Sequence, residues 1–203
     1  SMFIFPEVSS SLAYKKTDIL YCKPPKNHNV SKRVIYNTSN IPKPMAIEHL
    51  VISGGANIGF AFFGTLKTLL TENYLDLDNI KTIHATSIGT FFAFSFTAGY
   101  SLDDLENYLI NRPWKDLYKM DFHAIVRAIQ DGGMFDYNVM LESVKPLLLG
   151  KDLSVDITLK EYYDYCGKEI NFYSTEYSEL KLVRINYKTH PQWKLIDALY
   201  ASS

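Results

Sequence analysis

The sequence predicts an α/β fold in which a parallel-rich central sheet has helices on both faces, so that the domain has three layers. Two stretches near the middle of the chain each show a short apolar strand, a tight turn and then a helix. Strands that alternate with helices form parallel sheets, because each helix crosses over the sheet to bring the next strand alongside. We expect this domain to occupy residues 47–203, after an N-terminal arm or irregular cover over residues 1–46 that contains five prolines.

The elements of the domain follow from periodicity and capping residues. Gly99 is placed to end an apolar helix, and Ser101 and Thr158 each precede an acidic residue by three positions, which is typical of a helix start. The predicted order is a strand at 47–52, a helix at 59–72, a strand at 80–85, helices at 88–98, 102–109, 113–118, 123–129 and 137–148, a short helix at 162–165, strands at 170–174 and 180–185, and a final helical segment at 193–203.

Composition excludes some function classes. The 21 basic and 22 acidic residues balance, so no electrostatic feature predicts a nucleic-acid partner. Two cysteines, Cys22 and Cys166, and no secretory signal indicate a cytoplasmic protein. Any membrane contact would be peripheral, because the longest apolar run, at 88–98, is too short to span a bilayer. The histidines are isolated, and neither they nor the two cysteines have the spacing of metal ligands. We therefore expect the protein to bind neither a metal ion nor a cofactor.

Ser87 is the candidate nucleophile. It lies in "IHATSIGT", between a predicted strand and a predicted helix, where a sharp turn would expose its hydroxyl at a helix N-terminus. Small residues are needed two positions before and after it, because the strand and helix backbones pass close together. Gly89 meets this need, and Ala85 does so if its backbone keeps a negative φ.

The stretch "SGGANIG" at 53–59 is the candidate oxyanion hole. Consecutive glycines after a strand leave the backbone N–H groups of Gly54, Gly55 and Ala56 free to point at an anion. A phosphate is an alternative anion, so the loop alone leaves a nucleotide-binding module open. Its pairing with the Ser87 turn favours an oxyanion, because both turns follow consecutive strands at the carboxyl edge of the predicted sheet.

These motifs, together with the closing "DALYASS", resemble the patatin-like phospholipases over residues 47–203. The resemblance implies lipid acyl hydrolysis by a Ser–Asp dyad, with Ser87 as nucleophile, an oxyanion hole at Gly54, Gly55 and Ala56, and an acyl lipid such as a phospholipid as substrate. Gly59 matches a supporting glycine of that loop. Gly133-Met134-Phe135-Asp136 looks like a further family segment.

The same resemblance places the base after the helix that contains "DALYASS". We therefore expect the base beyond Ser203, and little or no activity from these 203 residues alone. Asp131, in "DGG", lies upstream of the predicted hairpin and is not expected to be the base.

Three residues depart from the family pattern: Ala56 and Ala85 replace glycine, and Ile58 replaces a basic residue. Ala56 retains its N–H, so the hole can form provided that φ there is not positive. The departures leave open a non-catalytic relative that binds a lipid or a partner. An ordinary α/β-hydrolase esterase is a further alternative, with His190 as its late histidine, whereas His84 lies too deep in its strand to serve Ser87.

Overall fold

A computed structural model describes residues 46–117 and 137–203. The predictions made for the N-terminal arm, for the helix at 123–129, for Asp131 and for the Gly133-Met134-Phe135-Asp136 segment lie outside these ranges. The elements of the described residues are β1 (His49–Ile52), a 3-10 turn (Ala56–Ile58), α1 (Gly59–Thr71), a 3-10 turn (Leu77–Asn79), β2 (Thr82–Ala85), α2 (Ile88–Thr97), α3 (Leu102–Asn111), α4 (Trp114–Leu117), α5 (Tyr137–Leu149), α6 (Leu159–Cys166), β3 (Glu169–Glu176), β4 (Lys181–Ile185) and α7 (Leu195–Ala201).

The strands form one mixed sheet in the order β1-β2-β3-β4. β1 pairs with β2 and β2 with β3 in parallel, and β3 and β4 form the predicted antiparallel hairpin. The register aligns Ile52 with Ala85 and Ala85 with Phe172 across the three parallel strands. The predicted α/β class with a parallel-rich sheet is therefore confirmed. Because β1 and β2 end side by side, the turns that follow them leave the same edge of the sheet.

The two faces of the sheet differ in burial. On one face the aligned side chains of the parallel strands are all buried, and they are Leu50, Ile52, Ile83, Ala85, Ile170 and Phe172. On the other face Val51, His84 and Tyr173 are half-buried, and Asn171, which aligns with His84, is buried. The alternation along each strand produces this asymmetry, since successive side chains point to opposite faces.

Helix α2 is apolar on every side and is buried along its length. It packs on α1, β1 and β2, and its four phenylalanines, at positions 91, 92, 94 and 96, are at most 5% exposed. Ser95 and Thr97 bond to carbonyls one turn earlier, at Phe91 and Ala93, so their buried hydroxyls are satisfied. No helix in the described ranges is both long and apolar enough to cross a membrane.

Capping residues mark the helix boundaries as predicted. The Ser101 side chain accepts from Asp104 N–H at the start of α3, and Thr158 and Glu161 form a reciprocal capping box on α6. Gly99 follows α2 with φ of +79°, a conformation that glycine adopts without strain. The observed boundaries lie within a few residues of the predicted ones, and α6 begins directly after its predicted cap, Thr158.

Candidate active site

Ser87 forms the turn between β2 and α2 in a strained backbone conformation. Its φ is +51° and its ψ is −131°, which residues with a side chain rarely adopt. Such strain costs about 1–3 kcal/mol and persists only where the surroundings hold it. The turn leaves the Ser87 side chain partly exposed, and its hydroxyl forms no hydrogen bond with any residue in the described ranges.

Backbone hydrogen bonds hold Ser87 on both sides. Its N–H donates to the carbonyl of Ser202, just after α7, at 2.9 Å. Its carbonyl accepts from the N–H of Thr90 at 2.8 Å and from the Thr90 hydroxyl at 2.7 Å. No sequence motif assigns a role to Thr90, and the only sequence signal for Ser202 is its place in "DALYASS".

The glycine loop lies against Ser87. A β-carbon built on Gly54 would stand 3.2 Å from the Ser87 β-carbon and 3.9 Å from its Oγ. A β-carbon built on Gly55 would stand 3.2 Å from the Phe62 ring. The structure therefore brings together the two motifs that the sequence predicts to cooperate.

The N–H groups of the glycine loop are available to a ligand. Those of Gly54, Gly55 and Ala56 donate to no acceptor among the described residues. Ala56, however, has φ of +46°, so the condition that its φ is not positive is not met. An L-residue in this region costs about 1–2 kcal/mol relative to its preferred backbone conformation. The loop thus forms with alanine in a conformation that suits glycine.

The supporting residues Gly59, Ala85 and Gly89 lie where the two strand–turn–helix units touch. A β-carbon on Gly89 would stand 2.4 Å from the carbonyl oxygen of Ile52, and one on Gly59 would stand 2.6 Å from Ile88 Cγ1. Both distances are shorter than real contacts allow. Ala85 is buried with a negative φ, so its methyl group is accommodated in the core.

The histidines near the site are engaged elsewhere. His84 Nδ1 lies 2.7 Å from the Tyr173 hydroxyl, and burial lowers the pKa of its imidazole. His190 packs edge-on against the Trp193 ring and bonds to Thr189. Neither forms a hydrogen bond with Ser87.

No carboxylate in the described ranges is hydrogen-bonded to the Ser87 hydroxyl. Asp197, in the first turn of α7, accepts a hydrogen bond from the Tyr137 hydroxyl at 3.0 Å instead. Among the described residues, no group of three or more histidine, cysteine or acidic side chains could hold a metal ion. The arrangement therefore places a partly exposed serine hydroxyl beside backbone N–H groups that have no acceptor among the described residues.

Comparison with known proteins identifies a family. Residues 50–203 match the family model of the patatin-like phospholipases. The uncharacterized protein R571 of Acanthamoeba polyphaga mimivirus is 30% identical over 105 residues, which are 52% of this chain and 35% of that protein. The probable lipid hydrolase 463L of Invertebrate iridescent virus 6 is 23% identical over 163 residues, which are 79% of this chain and 54% of that protein. The chain thus spans about a third to a half of these relatives.

Two solved structures share the fold. VipD from Legionella pneumophila aligns with a TM-score of 0.50 and 13% identity over 75% of this chain and 41% of its own. A chain from the complex of full-length SpcU and full-length ExoU of Pseudomonas aeruginosa aligns with a TM-score of 0.52 and 18% identity, covering 79% of this chain and 38% of its own. At these identities the likeness extends to the fold alone.

Proposed function

The chain belongs to the patatin-like phospholipase family, and from this premise we propose that the whole protein is a lipid acyl hydrolase with Ser87 as its nucleophile. The observation that carries the proposal is the contact between the glycine loop and a serine held at positive φ. That arrangement puts a partly exposed hydroxyl beside backbone N–H groups that have no acceptor among the described residues.

The proposed reaction has two steps. Ser87 Oγ bonds to the ester carbonyl carbon while its proton passes to a base, and the N–H groups of the glycine loop hold the resulting oxyanion. The carbon–oxygen bond to the lipid alcohol then breaks, and the alcohol leaves with the proton from the base. In the second step water gives a proton to the base as its oxygen bonds to the acyl carbon. The bond between that carbon and Ser87 Oγ then breaks, the base returns the proton to Oγ, and the fatty acid leaves.

We propose that the base is an aspartate that follows Ser203 in the longer protein, as the family resemblance implies. The end of α7 supports this placement, because Ser202 touches the backbone of Ser87. A chain that continues from Ser203 would start beside the nucleophile. These 203 residues alone would then show little or no turnover.

A lipid substrate is supported by apolar side chains at the edge of the glycine loop. Ile58 is 57% exposed and Phe60 is 50% exposed, although both are large and hydrophobic. Ile58 directly precedes α1 and stands where the family has a basic residue. We propose that these side chains make transient contact with a membrane surface, and that the protein is cytoplasmic and peripheral.

A non-catalytic relative that binds lipid or a partner is a second candidate. The strained Ala56 backbone in the oxyanion loop favours it, since a loop kept for catalysis would gain from glycine there. An ordinary Ser-His-Asp esterase is less well supported, because His84 is hydrogen-bonded to Tyr173 and His190 packs on Trp193.

The test is hydrolysis of phospholipid vesicles and labelling by a fluorophosphonate probe, both with the longest natural form of the protein. We expect fatty acid release and a labelled Ser87 peptide, and we expect both to be lost in Ser87→Ala. Ser178→Ala, which alters an exposed serine on the β3–β4 turn, is the control and should behave as wild type. Hydrolysis that survives Ser87→Ala would refute the nucleophile, and a wild-type protein that neither hydrolyses nor reacts would favour the non-catalytic reading.

A further inference from the structure

Ser202 links the predicted nucleophile to the sheet through its side chain. Its hydroxyl oxygen lies 3.2 Å from the Ser87 backbone nitrogen, which already donates to the Ser202 carbonyl, so the Ser87 N–H is shared between two acceptors of one residue. The same hydroxyl donates to the backbone carbonyl of Tyr173 on β3 at 2.5 Å. Ser202 is only 9% exposed, so these bonds are sheltered from water.

A strained turn needs such support. The φ of +51° at Ser87 is unfavourable for serine, and the turn would relax if its N–H were free to rotate toward another acceptor. Thr90 holds the carbonyl side of Ser87 through bonds within the first turn of α2. Only Ser202, among the described residues, holds the N–H side, and it does so from just after α7, 115 residues away in the chain.

The hydroxyl of Ser202 fixes the position of its own carbonyl. Because the hydroxyl is bonded to the Tyr173 carbonyl, the end of α7 cannot shift without breaking a buried hydrogen bond. Tyr173 belongs to β3, the strand next to the one that precedes the turn. The Ser202 hydroxyl and carbonyl, which accept from the Ser87 N–H, are therefore attached to the sheet whose strand β2 leads into the Ser87 turn.

We infer that Ser202 is a positioning residue: anchored on β3, it holds the Ser87 amide and so sets how the Ser87 hydroxyl faces the glycine loop. The inference rests on the proposed function, since it assigns a role in presenting the nucleophile. Ser202 itself does not touch the substrate.

The first test is Ser202→Ala in the longest natural form of the protein. We expect the Ser87 amide to exchange its hydrogen about three- to tenfold faster by residue-resolved hydrogen exchange, because one acceptor and its anchor are lost. For a soluble ester we expect kcat to fall by a similar factor while KM is unchanged. Ser203→Ala, which removes a hydroxyl bonded to the Leu199 carbonyl, is the matched control and should change neither quantity.

A second pair of variants separates the hydrogen bonds from packing. Ser202→Thr and Ser202→Val add nearly the same bulk to a buried position, but only threonine keeps the hydroxyl. We expect the Ser87 amide hydrogen to exchange more slowly in Ser202→Thr than in Ser202→Val, and we expect kcat to be higher in Ser202→Thr. Equal values in these two variants, or wild-type exchange in Ser202→Ala, would overturn the inference alone. Hydrolysis that survives Ser87→Ala would instead overturn the proposed function and this inference with it.

Discussion

Gly54 lies against Ser87, so closely that a β-carbon at position 54 would stand 3.2 Å from the Ser87 β-carbon. The two residues follow neighbouring parallel strands, and their turns leave the sheet at the same edge. A change at either residue therefore acts on the other, and this coupling can be measured.

In the longest natural form of the protein, we expect Gly54→Ala to lower kcat by about 10²-fold, the loss expected when an oxyanion donor is displaced. The added methyl group requires the loop to move by a few tenths of an ångström away from Ser87. The control is Gly64→Ala in α1, where a β-carbon would meet nothing within 4 Å, and it should raise stability by about 0.5–1 kcal/mol with kcat unchanged. A Gly54→Ala enzyme with wild-type kcat would show that the loop does not serve the reaction.

We expect Gly89→Ala to destabilise the fold rather than act on chemistry alone. Its β-carbon would stand 2.4 Å from the Ile52 carbonyl oxygen and 2.8 Å from that of Ser53, and backbone cannot rotate away as a side chain can. The cost should be about 1–3 kcal/mol in the free energy of unfolding, measured by urea denaturation. An unchanged urea midpoint would contradict the close approach of α2 to β1.

Ala56→Gly should stabilise the protein, in contrast to most glycine substitutions. The φ of +46° is strained for alanine, and its relief should outweigh the greater flexibility of glycine in the unfolded chain. We expect a gain of up to about 1 kcal/mol in urea denaturation, together with an equal or higher kcat. Loss of stability in this variant would mean that position 56 does not hold the left-handed conformation in solution.

Lysine at Ile58 or Phe60 should weaken action on vesicles selectively. Both side chains are at least half exposed beside the glycine loop, so the folded state should tolerate the change. We expect slower hydrolysis of vesicle phospholipid and weaker vesicle binding, with hydrolysis of a soluble monomeric ester unchanged. Leu182→Lys, on the hairpin strand β4 and 72% exposed, is the matched control and should leave vesicle hydrolysis at the wild-type rate. Equal loss on both substrates would point to damage at the site instead of lost surface contact.

His84 should make stability depend on pH. Burial, followed by the nearby His49, lowers the pKa of His84 below its usual value of 6.5. A histidine with a lower pKa in the folded state adds stability above its unfolded pKa and loses it as the pH falls through the folded pKa. Between about pH 7.5 and about pH 5, wild type should therefore lose more stability than His84→Gln in urea denaturation. Parallel curves for the two proteins would exclude His84 as the source.

The sequence predicts the two turns well because each depends on a few adjacent residues. A strand, a small-residue turn and a helix define where Ser87 and Gly54 stand, and the register of β1 with β2 then brings them together. The positive φ at Ala56 is not predictable in this way, because it depends on how the loop closes between β1 and α1. The contact with Ser202 is missed for a related reason, since it arises from the packing of a distant helix.

That distant contact also sets when the Ser87 turn can be held in place during synthesis. The Ser87 amide and the Ser202 hydroxyl are separated by 115 residues, so a ribosome must extend the chain by that length before the turn can find its acceptors. Until then the strained Ser87 turn is held by Thr90 at its carbonyl but lacks the Ser202 acceptors of its N–H. A nascent chain would therefore hold the Ser87 turn in its strained conformation only after residue 202 has been added and α7 has packed against the sheet.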